Sequence, residues 1–276
     1  MSGYGRGGEE RDRAAYDVGA FYSRGGIAAA ITPEGQDIPY PRGGMGDHMT
    51  GLAAAGGVSA ALYSRERSGK GQLVSTSLLR LGAYMHGWDH NVTARLDQET
   101  EPYTRRSPPN PLINGYRCGD GNWVWLLGME ADRHWPNLLA ALDHPEWEND
   151  PRYDSIEARR DNSAELVAAM DAVLATKTRD QWGAVFDHHD VWWAKVQTTM
   201  DLRGDAQAQE AGCYIEAPMA DGQMVDMVAT PVDFSATNWF VREPPPELGQ
   251  HTELVLLDLG KDWDEIEALK AAGVIP

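Results

Sequence analysis

Residues 43–51 read GGMGDHMTG, and residues 52–67 continue as LAAAGGVSAALYSRER. The second stretch is rich in alanine and other small residues, which predicts a helix from Asp47 to about Arg67, ended by the SGKG of residues 68–71. The glycines before it permit a left-handed backbone and close approach of a ligand to the main chain. This segment therefore predicts a carboxylate at the start of a helix, directly after a glycine-rich turn.

Two interpretations of Asp47 follow from its position. Aspartate is a favoured helix cap, which is a purely structural role. Alternatively, the helix N-terminus holds the carboxylate ionised, and an ionised, positioned carboxylate can attack an activated carbonyl to form a mixed anhydride. The N–H groups of Gly43, Gly44 and Gly46 would then be candidates to bind the developing oxyanion. The turn alone leaves both interpretations open.

Composition restricts the class of protein. The chain has 276 residues, 24 Lys and Arg against 42 Asp and Glu, and a formal charge of −18. This length suits one large domain or two ordinary ones, and the acidity argues against nucleic acid or an anionic membrane surface as a partner. Two cysteines, Cys118 and Cys213, are too few for a disulfide scaffold or a zinc site. With no apolar run long enough to span a bilayer and no secretory signal, we expect a cytoplasmic protein.

The first part of the chain predicts an α/β layer. Residues 14–31 mix aromatic and small side chains, as in a buried helix that ends near two glycines, and residues 32–44 form a loop rich in proline and glycine. QLVSTS at 72–77 predicts a strand, and a second helix is expected over 77–96. The order helix, turn, strand, helix is typical of an α/β layer.

The pattern of predicted secondary structure changes after the polar, proline-rich segment 97–111. GYRCGDGNWVWLLG at 115–128 predicts two strands joined by a turn at GDGN. Several helical patterns follow, with Thr178 and either Asn162 or Ser163 as expected caps.

The remainder of the chain contains both strand and helix patterns. A second pair of strands is expected around ADGQ at 220–223, and a helix over 262–273. We therefore divide the chain into a segment of a large domain at 1–108, a small domain at 109–212, and a C-terminal return to the large domain at 213–276.

The segment around Asp47 resembles the signature region of the family III CoA-transferases, which include formyl-CoA transferase, the carnitine CoA-transferases and the related α-methylacyl-CoA racemases. The match consists of the aspartate after the glycine turn, Thr50-Gly51, Arg65, the Gly-Lys-Gly-Gln of residues 69–72, and Ser77-Leu78. Further resemblance through RHWPNL, DPRY and ELGQHT to the C-terminus extends it over essentially the whole chain.

The resemblance implies a fold. It predicts a Rossmann-like, CoA-binding large domain that is incomplete at its N-terminus, because family members carry a further segment before SGYG at 2–5. A smaller, mostly helical α+β domain is also expected. In the family two such chains interlock, so we expect a homodimer or, alternatively, a separate chain that supplies the first strands.

The resemblance also implies a chemistry. Asp47 falls on the aspartate that takes the acyl group from acyl-CoA as an anhydride and then carries CoA as a thioester before a second carboxylic acid accepts it. Coenzyme A is thus a substrate and not a tightly bound cofactor. Tyr16, Asp17 and Leu78 fall where the family lines its CoA site, although local helix packing is an equally good interpretation of Asp17.

Two alternatives accompany this expectation. In the racemases a histidine works with the aspartate, and Tyr16 stands in its place here; a phenol is a poor base at neutral pH, which favours transfer over racemisation. The other alternative is a truncated, non-catalytic paralogue that depends on a partner. His86 and His90 have helical i,i+4 spacing, but no motif supplies a third ligand, so no metal is expected.

Overall fold

The computed structural model describes residues 1–276 and divides into two compact units, Met1–Lys195 and Val196–Pro276. None of its helices combines the length and apolar character that crossing a membrane requires. Mixed α and β structure is present in each unit, as the sequence predicts at this coarse level.

The first part of the larger unit is helical. It contains a π-helical turn, Val18–Ser23, followed by α1 (Ile27–Ala30), α2 (Met45–Ser68), α3 (Leu78–Met85) and α4 (Gly87–Leu96). The buried helix expected to end near Gly25-Gly26 is present only as this short π-helical turn, and Gly26, with a left-handed φ of 91°, separates the turn from α1.

The π-helical turn packs directly on α3 through glycines. A Cβ added to Gly25 would lie 2.8 Å from the Cα of Gly82, and one added to Gly82 would lie 2.5 Å from the carbonyl oxygen of Phe21. Only glycines permit so close an approach of two backbones. The core of this region consists of Ala20, Phe21, Tyr22, Ala28, Leu78 and Leu81.

Helix α2 has the bounds that its sequence predicts to within two residues. Gly44 precedes it with φ 80°, and Gly69 ends it with φ 67°, donating its N–H to the carbonyl of Arg65; both are conformations that glycine adopts without steric cost. Of its 24 residues only Gly46 and Thr50 are buried. The fully buried positions of the helix therefore lie in its first two turns.

The expected strand at 72–77 is wrong for most of its length. The only β-pairing here is a single parallel bridge between Ser2 and Ser77, made by the N–H of Ser2 to the carbonyl of Thr76 at 3.3 Å and of Leu78 to the carbonyl of Ser2 at 3.0 Å. β-branched residues alone do not make a strand, because the backbone needs a hydrogen-bonded partner along its length.

The expected second helix, 77–96, is interrupted at one residue. His86 has φ −115° and ψ 41°, outside the helical range, and separates α3 from α4. Ser77 caps α3 by accepting the N–H of Arg80.

The second part of the larger unit is an α+β arrangement. Strands β1 (Gly115–Arg117) and β2 (Trp123–Leu126) are antiparallel, and β3 (Trp193–Val196) completes a sheet of order β1-β2-β3. The helices are α5 (Ala131–Leu142), α6 (Ile156–Asp161), α7 (Ser163–Leu174) and α8 (Arg179–His188). The GDGN turn has its predicted place, with Asp120 accepting the N–H of Asn122 at 3.1 Å.

A second hydrophobic core lies between this sheet and its helices. It includes Tyr116, Val124, Trp182 and Phe186, all with no measurable exposure. Thr178 caps α8 with a reciprocal bond to Gln181, as predicted, whereas Asn162 precedes α7 without a side-chain cap.

The smaller unit has the hairpin and the terminal helix that the sequence predicts. It contains α9 (Thr199–Arg203), α10 (Ala206–Glu210), the antiparallel strands β4 (Tyr214–Pro218) and β5 (Met224–Val228), α11 (Thr252–Asp258) and α12 (Trp263–Ala271). The ammonium of Lys270 on α12 forms an ion pair with Glu253 on α11. The division into domains at residues 108 and 212 stays a prediction.

Candidate functional site

The start of α2 is held by an aspartate from a distant part of the chain. The N–H of Gly46 donates to Oδ1 of Asp17 at 3.0 Å, across 29 positions of sequence. Asp17 is only 7% exposed, and a buried carboxylate is stabilised by N–H donors and by the positive end of a helix dipole. Asp17 therefore acts as a side-chain cap of α2, a role that its local sequence does not indicate.

Gly46 has no room for a side chain. A Cβ at this position would lie 2.2 Å from Oδ1 of Asp17 and 2.3 Å from Cγ of Phe21. These distances are far below van der Waals contact, so the glycine lets the π-helical turn and the first turn of α2 touch. The glycine requirement here comes from packing.

Asp47 lies next to this buried contact and faces solvent. Asp47 stands in the first turn of α2, its side chain is exposed, and its carboxylate forms no hydrogen bond or ion pair within residues 1–276. The free N–H groups at a helix start favour an anion at this position. The site thus presents an accessible carboxylate on a backbone that is fixed one residue earlier.

The expected oxyanion donors need one correction. The N–H of Gly46 is already donated to Asp17, so it is not available to a ligand. The N–H groups of Gly43 and Gly44 have no partner within the chain, and they stay candidates for this role.

The other residues of the expected CoA site have different environments. Tyr16 is 83% exposed, whereas Leu78 is 7% exposed and belongs to the core beside Phe21. Asp17 contacts the glycine turn through Gly46. A role for Tyr16, Asp17 and Leu78 in CoA binding stays a prediction.

The histidine pair has a structural contact. Nε2 of His86 lies 2.7 Å from the carbonyl oxygen of Gly25, which requires a proton on that nitrogen, and Nδ1 lies 3.9 Å from Asp89. The ring of His90 is 4.4 Å from that of His86. Since Nε2 of His86 is engaged by a carbonyl, this nitrogen is not free to bind a metal.

A cavity of about 340 Å³, which the sequence does not predict, lies beside the start of α2. We call it the loop cavity, because one wall is the segment Pro39–Arg42. Its lining consists of Asp17, Phe21, Tyr22, Ile27, Ala30, Ile31, Pro39, Tyr40, Pro41, Arg42, Met45, Met85 and His86. The hydroxyl of Tyr22 donates to the carbonyl of Pro39, which fixes the loop against the π-helical turn. The run IPYP at 38–41 is the one local signal, since several apolar residues in succession can form a surface patch, and such patches often belong to binding sites.

The chain matches a known protein family. The model of CoA-transferase family III matches residues 1–252. The chain is 30% identical over 273 residues to the (R)-2-hydroxy-4-methylpentanoate CoA-transferase of Clostridioides difficile, covering 99% of this chain and 68% of that protein. It is 29% identical over 272 residues to the cinnamoyl-CoA:phenyllactate CoA-transferase of Clostridium sporogenes, covering 98% and 66%.

Solved structures show the same fold. A CaiB/BaiF family protein from Brucella suis superposes with a TM-score of 0.79 at 24% identity, over 94% of this chain and 66% of that one. The Mycobacterium tuberculosis protein Rv3272 gives a TM-score of 0.76 at 19% identity, over 92% and 67%. The chain thus spans about two thirds of the length of these relatives. With the family model matched over most of its residues, this chain belongs to the CoA-transferase family III.

Proposed function

We propose that this protein transfers coenzyme A between carboxylic acids, with Asp47 as the nucleophile. The observation that carries the proposal is an exposed carboxylate in the first turn of α2, next to a glycine fixed by Asp17. Such a carboxylate is accessible and is held on a fixed backbone, which are properties that a nucleophile requires. Acyl-CoA and a free acid would be the substrates, without a tightly bound cofactor.

The proposed reaction has four steps at one carboxylate. Asp47 attacks the thioester carbonyl of the donor, the carbon–sulfur bond breaks, and an aspartyl mixed anhydride and CoA thiolate form. The thiolate attacks the aspartyl carbonyl and releases the donor acid, which leaves CoA as a thioester on Asp47. The acceptor carboxylate attacks that thioester, the carbon–sulfur bond breaks, and a second mixed anhydride and free CoA thiolate form. The thiolate then attacks the acceptor's carbonyl carbon in this anhydride, which gives the new acyl-CoA and releases the carboxylate of Asp47.

The relatives support transfer between acids. Both proteins at about 30% identity bear the name of a CoA-transferase, one for (R)-2-hydroxy-4-methylpentanoate and one for cinnamoyl-CoA and phenyllactate. A further relative, 30% identical over 281 residues, is a succinyl-CoA–D-citramalate CoA-transferase of Chloroflexus aurantiacus. Their acids differ, so membership of the family does not select the acids of this chain.

The nucleophile can be identified by trapping. The purified chain is incubated with an acyl-CoA and then with hydroxylamine, which converts an activated aspartyl carbonyl into a hydroxamate that adds a defined mass to one peptide. We expect the adduct on the peptide with Asp47 and none in Asp47→Asn. Glu66→Gln is a matched control, because Glu66 is an exposed carboxylate of the same helix. A folded Asp47→Asn variant that still transfers CoA would refute the role.

Racemisation is distinguished by the α-carbon. A transferase leaves the α-hydrogen of a 2-methylacyl-CoA in place, whereas a racemase exchanges it with solvent. In D₂O we expect acyl transfer without deuterium at the α-carbon. Deuterium incorporation that depends on Asp47 would support a racemase.

Helix α2 supports an association with another chain. Beyond Gly46 and Thr50 it buries no residue, and Leu52, Val58 and Leu62 are each about 45% exposed; a helix with so much apolar surface in solvent is typical of an interface. We propose that a second copy covers it, as a homodimer, and light scattering of the purified chain tests this. A monomer would favour the alternatives of a separate partner chain or a non-catalytic paralogue. A cytoplasmic location stays a prediction.

A further inference from the structure

We propose that the loop cavity binds the apolar body of a monocarboxylic acid and that Arg42 pairs with its carboxylate. This inference rests on the proposed function, since it assigns the acid-binding site of the same reaction. Nothing in the composition or in the glycine turn points to the cavity, which is formed by segments that are separate in the sequence. Its shape, lining and charge carry the inference.

The size of the cavity suits a small ligand. Its volume of about 340 Å³ is at the lower end of the range of about 300–1,000 Å³ that ligand pockets occupy. The pocket is already formed, because the bond from Tyr22 to the carbonyl of Pro39 holds the loop in place. A preformed site avoids the entropic cost of ordering a loop when the ligand binds.

The lining is mostly apolar, and three of its polar side chains are already engaged. Asp17 accepts the N–H of Gly46, Nε2 of His86 bonds to the carbonyl of Gly25, and the hydroxyl of Tyr22 bonds to Pro39; Nδ1 of His86 is buried without a hydrogen-bond partner. Most of the surface that remains for a ligand belongs to aliphatic, aromatic and thioether side chains, including Ile31, which is 52% exposed, and Met45, which is 56% exposed. Burying the apolar part of a ligand against such a wall is favourable, because it removes apolar surface from water.

One cation in the lining has no partner. Arg42 is exposed and forms no hydrogen bond or ion pair within residues 1–276, although the chain has a net charge of −18. A guanidinium group binds a carboxylate in a two-point arrangement. Arg42 is therefore placed to hold the carboxylate of an acid whose apolar part fills the cavity.

The buried carboxylate of Asp17 sets a further limit. It lines the same cavity and has only 7% exposure, so a second carboxylate of a ligand inside the cavity would lie near a like charge in a poorly solvated place. This repulsion is strong where the dielectric constant is low. The cavity therefore selects acids with one carboxylate over dicarboxylic acids such as succinate.

The cavity lies beside the start of α2. Met45, the first residue of α2, and Arg42 both line it, whereas Asp47 does not, because side chains two positions apart project from different faces of a helix. An acid held by Arg42 therefore binds next to the helix that carries the proposed nucleophile, and its carboxylate must leave Arg42 to attack the aspartyl thioester in the proposed reaction.

Calorimetric titration in the absence of CoA tests the proposal without any turnover. We expect 4-methylpentanoate to bind the wild-type chain with a Kd at least about tenfold lower than propanoate, because an apolar pocket discriminates by about tenfold or more per methylene group. Succinate is expected to bind more weakly than 4-methylpentanoate. Equal affinity for 4-methylpentanoate and propanoate, or no binding of either, would overturn the proposal.

Substitutions then locate the site. Ala30→Phe fills the cavity and is expected to weaken binding of 4-methylpentanoate at least about tenfold, while Ala29→Phe, one residue away and outside the lining, leaves it unchanged. Ile31→Glu, at a half-exposed position where folding is tolerant, places an anion in the lining and is expected to weaken binding equally. Arg42→Gln is expected to weaken every acid and to reduce the dependence of Kd on salt. If Ala30→Phe and Ala29→Phe bind alike, the ligand lies elsewhere.

The two proposals fail in different ways. The cavity is assessed by binding alone, and the nucleophile by the hydroxamate on Asp47. Binding without the adduct would refute the transferase chemistry and retain the site. The adduct without selective binding would retain the chemistry and refute the site.

Discussion

The carboxylate of Asp17 accepts the backbone N–H of Gly46 at 3.0 Å, one residue before the exposed Asp47. This contact links the π-helical turn to the start of α2 and replaces the cap that Gly44, without a side chain, does not provide. Since Asp47 follows directly, the bond fixes the backbone from which the proposed nucleophile projects.

Removing the cap should destabilise the protein. We expect Asp17→Ala to lower the free energy of unfolding by about 1–2 kcal/mol, the usual cost of losing a helix cap, because the N–H of Gly46 loses its partner in a buried place. Asp17→Asn keeps an acceptor oxygen and should recover part of the loss. Urea denaturation measures both, and Asp12→Ala, at an exposed acid, is the control.

The same two substitutions of Asp17 test whether this residue positions Asp47. If Asp17 orients the start of α2, Asp17→Ala should slow formation of the Asp47 adduct at saturating acyl-CoA, and Asp17→Asn should restore it in part. Equal rates of adduct formation in the wild type and in Asp17→Ala would limit Asp17 to stability.

A methyl group at Gly46 should be costly. We expect Gly46→Ala to destabilise the fold by about 1–3 kcal/mol, as overpacking does, because the added Cβ would meet Asp17 at 2.2 Å and Phe21 at 2.3 Å. Gly43→Ala is the matched control, since a Cβ there meets nothing within 4 Å. Thermal unfolding of the two variants should separate them clearly, and similar melting temperatures would contradict the packing.

Replacing two other glycines with alanine should change the stability in opposite directions. Gly82→Ala should destabilise, because its Cβ would lie 2.5 Å from the carbonyl oxygen of Phe21. Gly87→Ala, at the first residue of α4 where a Cβ meets nothing within 4 Å, should stabilise by about 0.4–1 kcal/mol, because alanine lowers the conformational entropy of the unfolded chain. Chemical denaturation measures the change in unfolding free energy of each variant. A Gly82→Ala protein as stable as the wild type would be inconsistent with the close packing of α3 against Phe21.

The two cysteines should differ in reactivity. Burial, and then the nearby charge of Asp120, raise the pKa of the Cys118 thiol to about 11, whereas Cys213 is exposed. Only the thiolate reacts with alkylating reagents. At pH 8 we expect native protein to be labelled at Cys213 alone, and both residues to be labelled in urea; rapid labelling of Cys118 in the native protein would contradict its burial.

The raised pKa also has a consequence for stability. The native state favours the neutral Cys118 thiol, while the unfolded chain ionises near its ordinary pKa of about 8.5. Below a pH of about 8.5 the thiol is neutral in both states, and the stability of the fold is not reduced by its ionisation. As the pH rises from there towards about 11, the unfolded chain ionises first, so the free energy of unfolding falls. Cys118→Ala should weaken the fall in unfolding free energy between pH 8 and pH 10, measured by urea denaturation against the wild type at each pH.

The sequence by itself determined the features that depend on neighbouring residues. The bounds of α2 follow from glycines at both ends and a run of small residues between them, and the hairpin β4–β5 follows from the turn residues at 220–223. Thr178 caps α8 because its partner, Gln181, is three positions away. In each case the interacting groups are close along the chain, so the pattern contains the physical cause. The signature around Asp47 was sufficient to identify the family for the same reason.

Tertiary structure alone decided the features that join distant segments. The cap of Gly46 comes from Asp17, 29 positions away, and Gly25 needs to be glycine because Gly82 of another helix approaches it. The stretch 72–77 has strand-like residues but only one bridge partner, Ser2, and the loop cavity exists only where separate segments meet. Hydrogen bonds, steric exclusion and cavities depend on which atoms become neighbours after folding, and local sequence does not specify those neighbours.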